Sequence, residues 1–369
     1  QGFNLYMDIG IIGLPQSGKT TVFNALTNGK VESSGASGSM TETHLGVVKV
    51  PDLRLDRLAK MFNPKKVVPA EVRYFDLPGL GFMGQSKGIT GQQRNVLQTA
   101  DAFLLVVRAF VNPAVVHPLG SDDPLRDMES MLGELVFSDL EILDRAVIRI
   151  KDGLNKAKTT ERPGLVRHGD TVAKAKMILE DGKVLRGQEF SAAEMLFLAD
   201  YQLLTFKPII LAFNTDESTP EFKLTGSGSV DDIQVNMGFV SLPAKLENEL
   251  LLMSDEDQEE FRRELGLAES AMSRVIAKSY ETVGLISFLT VGSDEVRAWS
   301  VPSGIPAQDA AGTIHTDFSR GFIRAEVITY SDLDRCGSIA QGRKEGLLRS
   351  EGKTYLVKDG DVINFLINV

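Results

Sequence analysis

Gly10-Ile-Ile-Gly-Leu-Pro-Gln-Ser-Gly-Lys-Thr-Thr21 decides the fold. Residues Gly13 to Thr20 fit the pattern G-x-x-x-x-G-K-[ST] without a gap. The apolar run Met7–Ile12 before it reads as a buried strand, and Thr21–Thr27 after it as an amphipathic helix closed by Asn28-Gly29. A strand that feeds a glycine-rich turn into a helix N-terminus makes an anion site, because backbone N–H groups and the helix dipole point at one place. In that cradle Pro15, Gln16, Ser17, Gly18, Lys19, Thr20 and Thr21 are the candidate phosphate contacts. Lys19 would reach the outer phosphates and act in catalysis, and the Thr20 hydroxyl would ligate Mg²⁺.

The rest of the chain extends that reading. Thr41-Glu-Thr-His-Leu-Gly46 follows a Ser/Gly-rich loop and stands where a P-loop switch protein keeps switch I, so Thr41 and Thr43 are both candidate Mg²⁺ ligands. Val72-Arg-Tyr-Phe-Asp-Leu-Pro-Gly79 is a strand ending in D-x-x-G. Asp76 would hold Mg²⁺ through water, and the Gly79 amide would meet the γ-phosphate. Leu80 occupies the position where Ras-like GTPases carry a water-orienting Gln, so hydrolysis must use another group or run slowly. Gly81–Gln93 reads as switch II. After the buried strands Ala102–Val107 and Pro208–Phe213 comes Asn214-Thr-Asp-Glu217, where a GTPase places N-K-x-D. Asn214, Thr215 and Glu217 are therefore base-site candidates, with Ala244 and Lys245 of Val240-Ser-Leu-Pro-Ala-Lys245 as a second base-contact loop. The Asp of N-K-x-D accepts from guanine N1–H and the 2-amino group. Glu217 stands in its place, which argues against a guanine clamp.

Between these halves Val136, Leu140, Leu143, Val147, Ile150 and Leu154 repeat at 4-3-4-3-4, an a/d seam. Pro163-Gly164 is read as its end, with Val172, Ala175 and Leu179 on a returning helix. From Leu285 onward the texture is β, and Arg343, Lys344, Arg349 and Lys353 form a candidate basic patch.

Composition bounds the rest. With 369 residues, 43% hydrophobic and 24% charged, the chain can build two or three packed domains. A net charge of −10 excludes a wholly basic nucleic-acid binder. No apolar run has the length of a membrane span, no signal peptide is visible, and a single cysteine, Cys336, suits the cytoplasm. Met7 reads as the native start, so Gln1–Tyr6 are left out of the functional reading.

Together these residues resemble the YchF family, the Obg-like ATPases among translation-factor P-loop proteins. The resemblance rests on Gly13-Leu-Pro…Gly-Lys-Thr20, Pro64-Lys-Lys-Val-Val-Pro-Ala70, Asp76…Gly-Leu80, Ser86-Lys-Gly88 and Asn214…Glu217. Its most specific part is the tail: Val296-Arg-Ala-Trp-Ser300, Ala311-Gly-Thr-Ile-His-Thr-Asp-Phe318 and Gly321-Phe-Ile-Arg-Ala-Glu-Val327, which look like a TGS domain. The resemblance implies an α/β Ras-like P-loop domain with a mostly parallel sheet (7–120 and 206–285), an inserted antiparallel coiled-coil arm (121–205) and a C-terminal α+β TGS domain (286–369). It implies ATP preferred over GTP, Mg²⁺ dependence, slow intrinsic hydrolysis, and association with the ribosome, through the large subunit or the whole particle, with RNA contacts by the TGS domain and arm. His117 matches a family histidine proposed to replace the missing Gln in catalysis. The family's usual Asn-Val is Gln16-Ser17 here, which leaves potassium dependence open. An Obg-type GTPase and a non-hydrolysing, nucleotide-gated scaffold are the competing readings.

Overall fold

Ile9, Ile11 and Ile12 are fully buried in the strand Met7–Ile12, as a near-continuous apolar run between two covered faces requires. That strand lies inside a seven-stranded sheet in the order Glu32–Ser34, Thr43–Lys49, Glu71–Asp76, Met7–Ile12, Ala102–Ala109, Ile209–Thr215, Gly238–Leu242. Met7–Ile12 pairs parallel with Ala102–Ala109, which pairs parallel with Ile209–Thr215, and that strand with Gly238–Leu242; Glu32–Ser34 runs antiparallel to its neighbour. This computed structural model describes residues 7–29, 32–34, 43–76, 89–219, 221–223, 237–264 and 269–368.

Two compact units divide the chain. One holds Asp8–Gly46 and Tyr74–Val275; the other holds Val47–Arg73 and Ile276–Val369. In the first, the turn after Met7–Ile12 leads into the helix Lys19–Thr27, which Asn28 ends in the left-handed conformation at φ 51°.

The insertion in this unit is a helical hairpin. Pro124–Lys156 runs for 33 residues from an Asp123 cap that accepts from the Arg126 N–H, and Arg162–Glu180 returns against it. Val136, Leu143 and Ile150 of the expected seam are buried. Leu140, Val147 and Leu154 are only half-buried, while Ile142 and Ala146 join the interior. The packed stripe is thus wider than a strict a/d seam, as for a helix covered by more than one neighbour. The break also differs from expectation: it falls at residues 157–161. Pro163 sits in the first turn of the returning helix, where a missing N–H costs nothing because that position has no intrahelical acceptor.

Asp139 fixes the hairpin to the chain that leaves it. The side chain is fully buried and accepts from Leu204 N at 2.9 Å, Thr205 N at 2.8 Å and Thr205 Oγ1 at 2.7 Å. Burial pushes this carboxyl up to about 6, against the pull of those three donors. Its folded pKa lies above the unfolded one, so its contribution to stability falls as pH rises from roughly 4 to 6 and is level above that. Asp139→Asn should lower unfolding free energy by about 1–3 kcal/mol at neutral pH, since the amide keeps one acceptor oxygen and turns an NH₂ toward the other donors. A urea titration checks this, and an unchanged midpoint would remove Asp139 from its bracing role.

The second unit has a six-stranded sheet in the order Arg349–Glu351, Phe322–Thr329, Asp361–Ile367, Leu285–Thr290, Glu295–Pro302, Lys66–Val68. Phe288, Val301, Phe322, Val327 and Ile363 fill its core with Ala307, Ala310 and Ala311 of the helix Ala307–Ile314. The segment Val47–Arg73 supplies one edge strand, which pairs parallel with Glu295–Pro302, and a helix, Leu53–Phe62. Ion pairs pin that segment: Arg54 to Asp359 at 2.7 Å, Arg57 to Asp334 at 2.6 Å and Lys65 to Asp294 at 2.7 Å. These are solvent-facing pairs that align the segment more than they stabilise it.

Candidate nucleotide-binding site

Two glycines let the loop after Met7–Ile12 close. Gly13 has φ 153°, and a Cβ there would lie 2.4 Å from the Val106 carbonyl oxygen. Gly18 has φ 93°, and a Cβ there would lie 2.2 Å from Asn214 Nδ2. No side chain fits either place, so the pattern's glycines are steric requirements. Gln16 is also left-handed at φ 63°, unusual for a residue with a side chain and expected where a loop is wrapped around a ligand.

Lys19 opens the helix and folds back over the loop. Its Nζ donates to Gly13 O at 3.0 Å and Leu14 O at 2.9 Å. Burial lowers its pKa from the ordinary lysine value, while the charge of Asp76 opposes that shift. A half-buried ammonium that, among the described residues, hydrogen-bonds only to carbonyl oxygens is short of negative charge, which is what a phosphate brings. Thr20 Oγ1 donates to Asp76 Oδ2 at 2.9 Å. A hydroxyl and a carboxylate from distant chain positions therefore converge beside the Lys19 turn as an all-oxygen donor pair, the chemistry that suits Mg²⁺. Among the described residues no group of three His, Cys, Asp or Glu side chains could hold a metal, so phosphate oxygens and water would have to complete the shell. Ser17 Oγ is buried and has no hydrogen-bond partner among the described residues, an orphan polar atom inside the cradle.

The base-site candidates split. Asn214 is buried and bridges two elements: its Nδ2 donates to Ser17 O at 3.1 Å, and its Oδ1 accepts from Ala244 N at 3.2 Å. The P-loop, the end of strand Ile209–Thr215 and the Ala244 loop are thus brought together by one amide. Thr215 and Ala244 are buried, whereas Glu217 and Lys245 are exposed, Lys245 lying 3.7 Å from Glu249. Asp216 Oδ1 takes hydrogen bonds from the N–H and hydroxyl groups of both Ser218 and Thr219, which hold its pKa below the usual carboxylate value. That oxygen is committed to its own turn. Asn248 was not foreseen: its Nδ2 donates to Thr21 O at 2.7 Å and to Ala244 O at 3.1 Å, tying the P-loop helix to the helix Ala244–Leu250. Nothing in its local sequence signals that role.

The geometry around His117 departs from the catalytic expectation. The ring is 8% exposed; Nε2 lies 2.7 Å from Asp127 Oδ2, and Nδ1 accepts from Leu119 N at 3.1 Å. Accepting at Nδ1 fixes the proton on Nε2, so both nitrogens are spent on holding the start of the arm helix and neither is offered to water. His117→Ala should cost about 1–3 kcal/mol of stability, the range for losing a hydrogen bond to a buried charge. Turnover per folded molecule should stay within about twofold, far short of the ~10²–10⁴-fold a general base supplies. Single-turnover rates beside thermal melts decide it; a large rate loss with an unchanged melt would restore the catalytic role.

Thr41, Gly79, Leu80, Ser86-Lys-Gly88 and most of the switch II stretch lie outside the described residues, as does the side chain of Thr43. The basic patch is half neutralised: Arg343 pairs with Glu326 at 3.0 Å, and Arg349 lies 3.6 Å from Glu351 and 3.8 Å from Asp361.

Against known families, residues 8–141 match the 50S ribosome-binding GTPase family, and residues 285–368 match YchF-GTPase_C, described as a protein of unknown function. The ribosome-binding ATPase YchF of Bacillus subtilis is 36% identical over 98% of this chain and 99% of its own length. The chain belongs to the YchF family. The Escherichia coli O157:H7 YchF, also named a ribosome-binding ATPase, is 37% identical over 98% of this chain and 99% of its own. The solved YchF GTPase of Schizosaccharomyces pombe superposes with a TM-score of 0.83 at 28% identity, covering 99% of both chains. YchF membership, with this coverage, accounts for the P-loop domain, the helical insertion and the C-terminal domain as one architecture.

Proposed function

We propose that this protein is an ATP-preferring, Mg²⁺-dependent ATPase with slow intrinsic turnover that works on the ribosome in the cytoplasm as a translation or stress-response switch. The observation that carries the chemistry is the convergence of Lys19, Thr20 and Asp76, with the orphan Ser17 hydroxyl beside them. Thr20 and Asp76 are the residues that would hold Mg²⁺, which would supply charge neutralisation to the phosphates. Lys19 exchanges two carbonyl partners for phosphate oxygens, and the loop amides from Gln16 to Thr21 orient the triphosphate. Asn214 keeps the base loop in register with the P-loop. Glu217 supports adenine, because a carboxylate on the longer side chain accepts from the N6 amine and crowds a guanine 2-amino group. Slow turnover follows from Leu80 in place of a water-orienting Gln and from His117 being committed elsewhere. Among the described residues no helix is long and apolar enough to cross a membrane.

Ribosome association comes from the relatives' names, ribosome-binding ATPase in both bacteria. A GTPase reading is favoured by the family matched at residues 8–141 and by the fission-yeast structure's name. Competition of labelled ATP by GTP separates the two: ATP preference is expected, and tighter GTP binding would overturn the base assignment. Single-turnover hydrolysis with and without ribosomes tests the switch, for which faster hydrolysis on the ribosome is expected. Equal rates would leave a nucleotide-gated scaffold as the better account.

A further inference from the structure

A groove runs beside the arm helix Pro124–Lys156. One wall carries Ile142, Arg145, Ile148 and Arg149; the other carries Asn95 and Gln98 of the helix Gly91–Thr99. Its two adjoining parts measure about 560 and 370 Å³ and share Ile142, Arg145 and Arg149. The walls are held rigidly. Arg94 of the shorter helix is buried and donates to Ser138 at 2.7 Å and to Glu141 at 2.5 Å, and Gln98 Nε2 donates to Tyr201 O at 3.3 Å at the closed end.

The charge in this groove is uncompensated. Arg145 and Arg149 turn only their Nε atoms inward, to the carbonyls of Glu141 at 3.0 Å and Arg145 at 3.4 Å. Glu141 pairs with Arg94 and Asp144 with Lys176 at 2.8 Å, and among the described residues neither Arg145 nor Arg149 has a carboxylate within 4 Å. Asp200 also lines the groove. Between Arg145 and Arg149 in the sequence, Ile148 is 61% exposed, a largely uncovered apolar side chain among the described residues. A chain of net charge −10 thus presents, on one helix face, two exposed arginines beside one exposed isoleucine.

We propose that this groove docks an acidic amphipathic helix of a partner protein, with carboxylates on Arg145 and Arg149 and an apolar side chain over Ile148. Arginine forks match carboxylates bidentately, and an amphipathic helix lays its apolar face into such a groove through residues at i, i+3, i+4 spacing. RNA is the poorer fit: two arginines give few phosphate contacts, and the exposed Ile148 offers nothing to a sugar–phosphate strand.

The probe is a fluorescein-labelled peptide of about 18 residues, about five helical turns, with Leu and Glu on opposite faces, titrated against the full chain by anisotropy. A scrambled peptide of equal composition and a duplex RNA are the controls. Specific binding is expected, weakened at least about tenfold by Arg145→Glu/Arg149→Glu and, independently, by Ile148→Asp. All three positions are exposed, and thermal melts confirm that the variants fold. No binding, equal binding of the scrambled peptide, equal binding by the variants, or arginine-dependent binding of RNA in place of the peptide would each overturn the proposal.

Discussion

Lys19→Ala is expected to reduce ATP turnover by at least about 10²-fold and to remove measurable triphosphate binding, while the nucleotide-free protein melts no earlier than wild type. The first effect follows from preorganised charge. A cation aimed at developing phosphate charge in a site poor in water contributes on the scale of a lost transition-state donor, about 10²–10³-fold or more. The second follows from Lys19 itself. Its charge is partly desolvated, and among the described residues its Nζ finds only the Gly13 and Leu14 carbonyls as hydrogen-bond acceptors. A lysine whose folded pKa lies below its unfolded value withholds stability while charged; the deficit is complete below the folded pKa and vanishes as pH rises toward about 10.4. Removing the ammonium therefore relieves a burden at neutral pH and offsets the loss of two neutral acceptors. Isothermal titration with ATP and Mg²⁺, set beside melts of the nucleotide-free protein, reads both effects. A folded variant with undiminished affinity and hydrolysis would sink the P-loop assignment.

The phosphate half of this site was legible because its signals are local. Gly13 and Gly18 must be glycine for steric reasons that a spacing pattern records, and the strand, turn and helix around them follow one another without interruption. Asn214 was legible by its place at the end of a buried strand, although its partners, Ser17 and Ala244, are set by the parallel pairing of three strands. What could not be read was the company kept by distant segments. Residues Val47–Arg73 lie between the two switch positions and were expected in the P-loop domain, yet they pack in one unit with Ile276–Val369. The strand that joins them, Lys66–Val68, has three residues and sits between two prolines, too short for any periodicity to show. The short helices Tyr330–Cys336 and Ile339–Lys344 were missed for the same reason: each spans fewer than two full turns and is fixed mainly by its caps, Thr329 and Ser338. His117 is the opposite case, a residue whose sequence signal fits two roles. A histidine after a strand carries the same sequence signal whether it activates water or braces a helix, and only the positions of Asp127 and the Leu119 N–H distinguish the two.

Glu217→Asp should move the ratio of ATP to GTP affinity toward GTP by about 10–100-fold, the worth of one good bidentate contact to a base edge, about 1–3 kcal/mol. Guanine offers two parallel donors, N1–H and the 2-amino group, and a carboxylate set back by one methylene can accept both. Adenine offers an acceptor at N1, which any carboxylate repels, and a single donor at N6. Shortening the side chain therefore removes a contact from one base and opens space for the other. The variant is mild for the fold, because Glu217 is exposed and the adjoining turn is held by Asp216 through Ser218 and Thr219. The companion change Thr215→Lys, which would complete the guanine motif, is not mild: Thr215 is 4% exposed, and an ammonium placed there must be desolvated. Glu217→Asp alone is thus the informative experiment, read by competition of both nucleotides against one labelled probe at fixed Mg²⁺. If the ratio stays where it is in a protein with an unchanged melt, the base is selected by backbone groups around Ala244 and Lys245 or by the residues flanking them. Glu217 would then be an exposed carboxylate with no part in recognition.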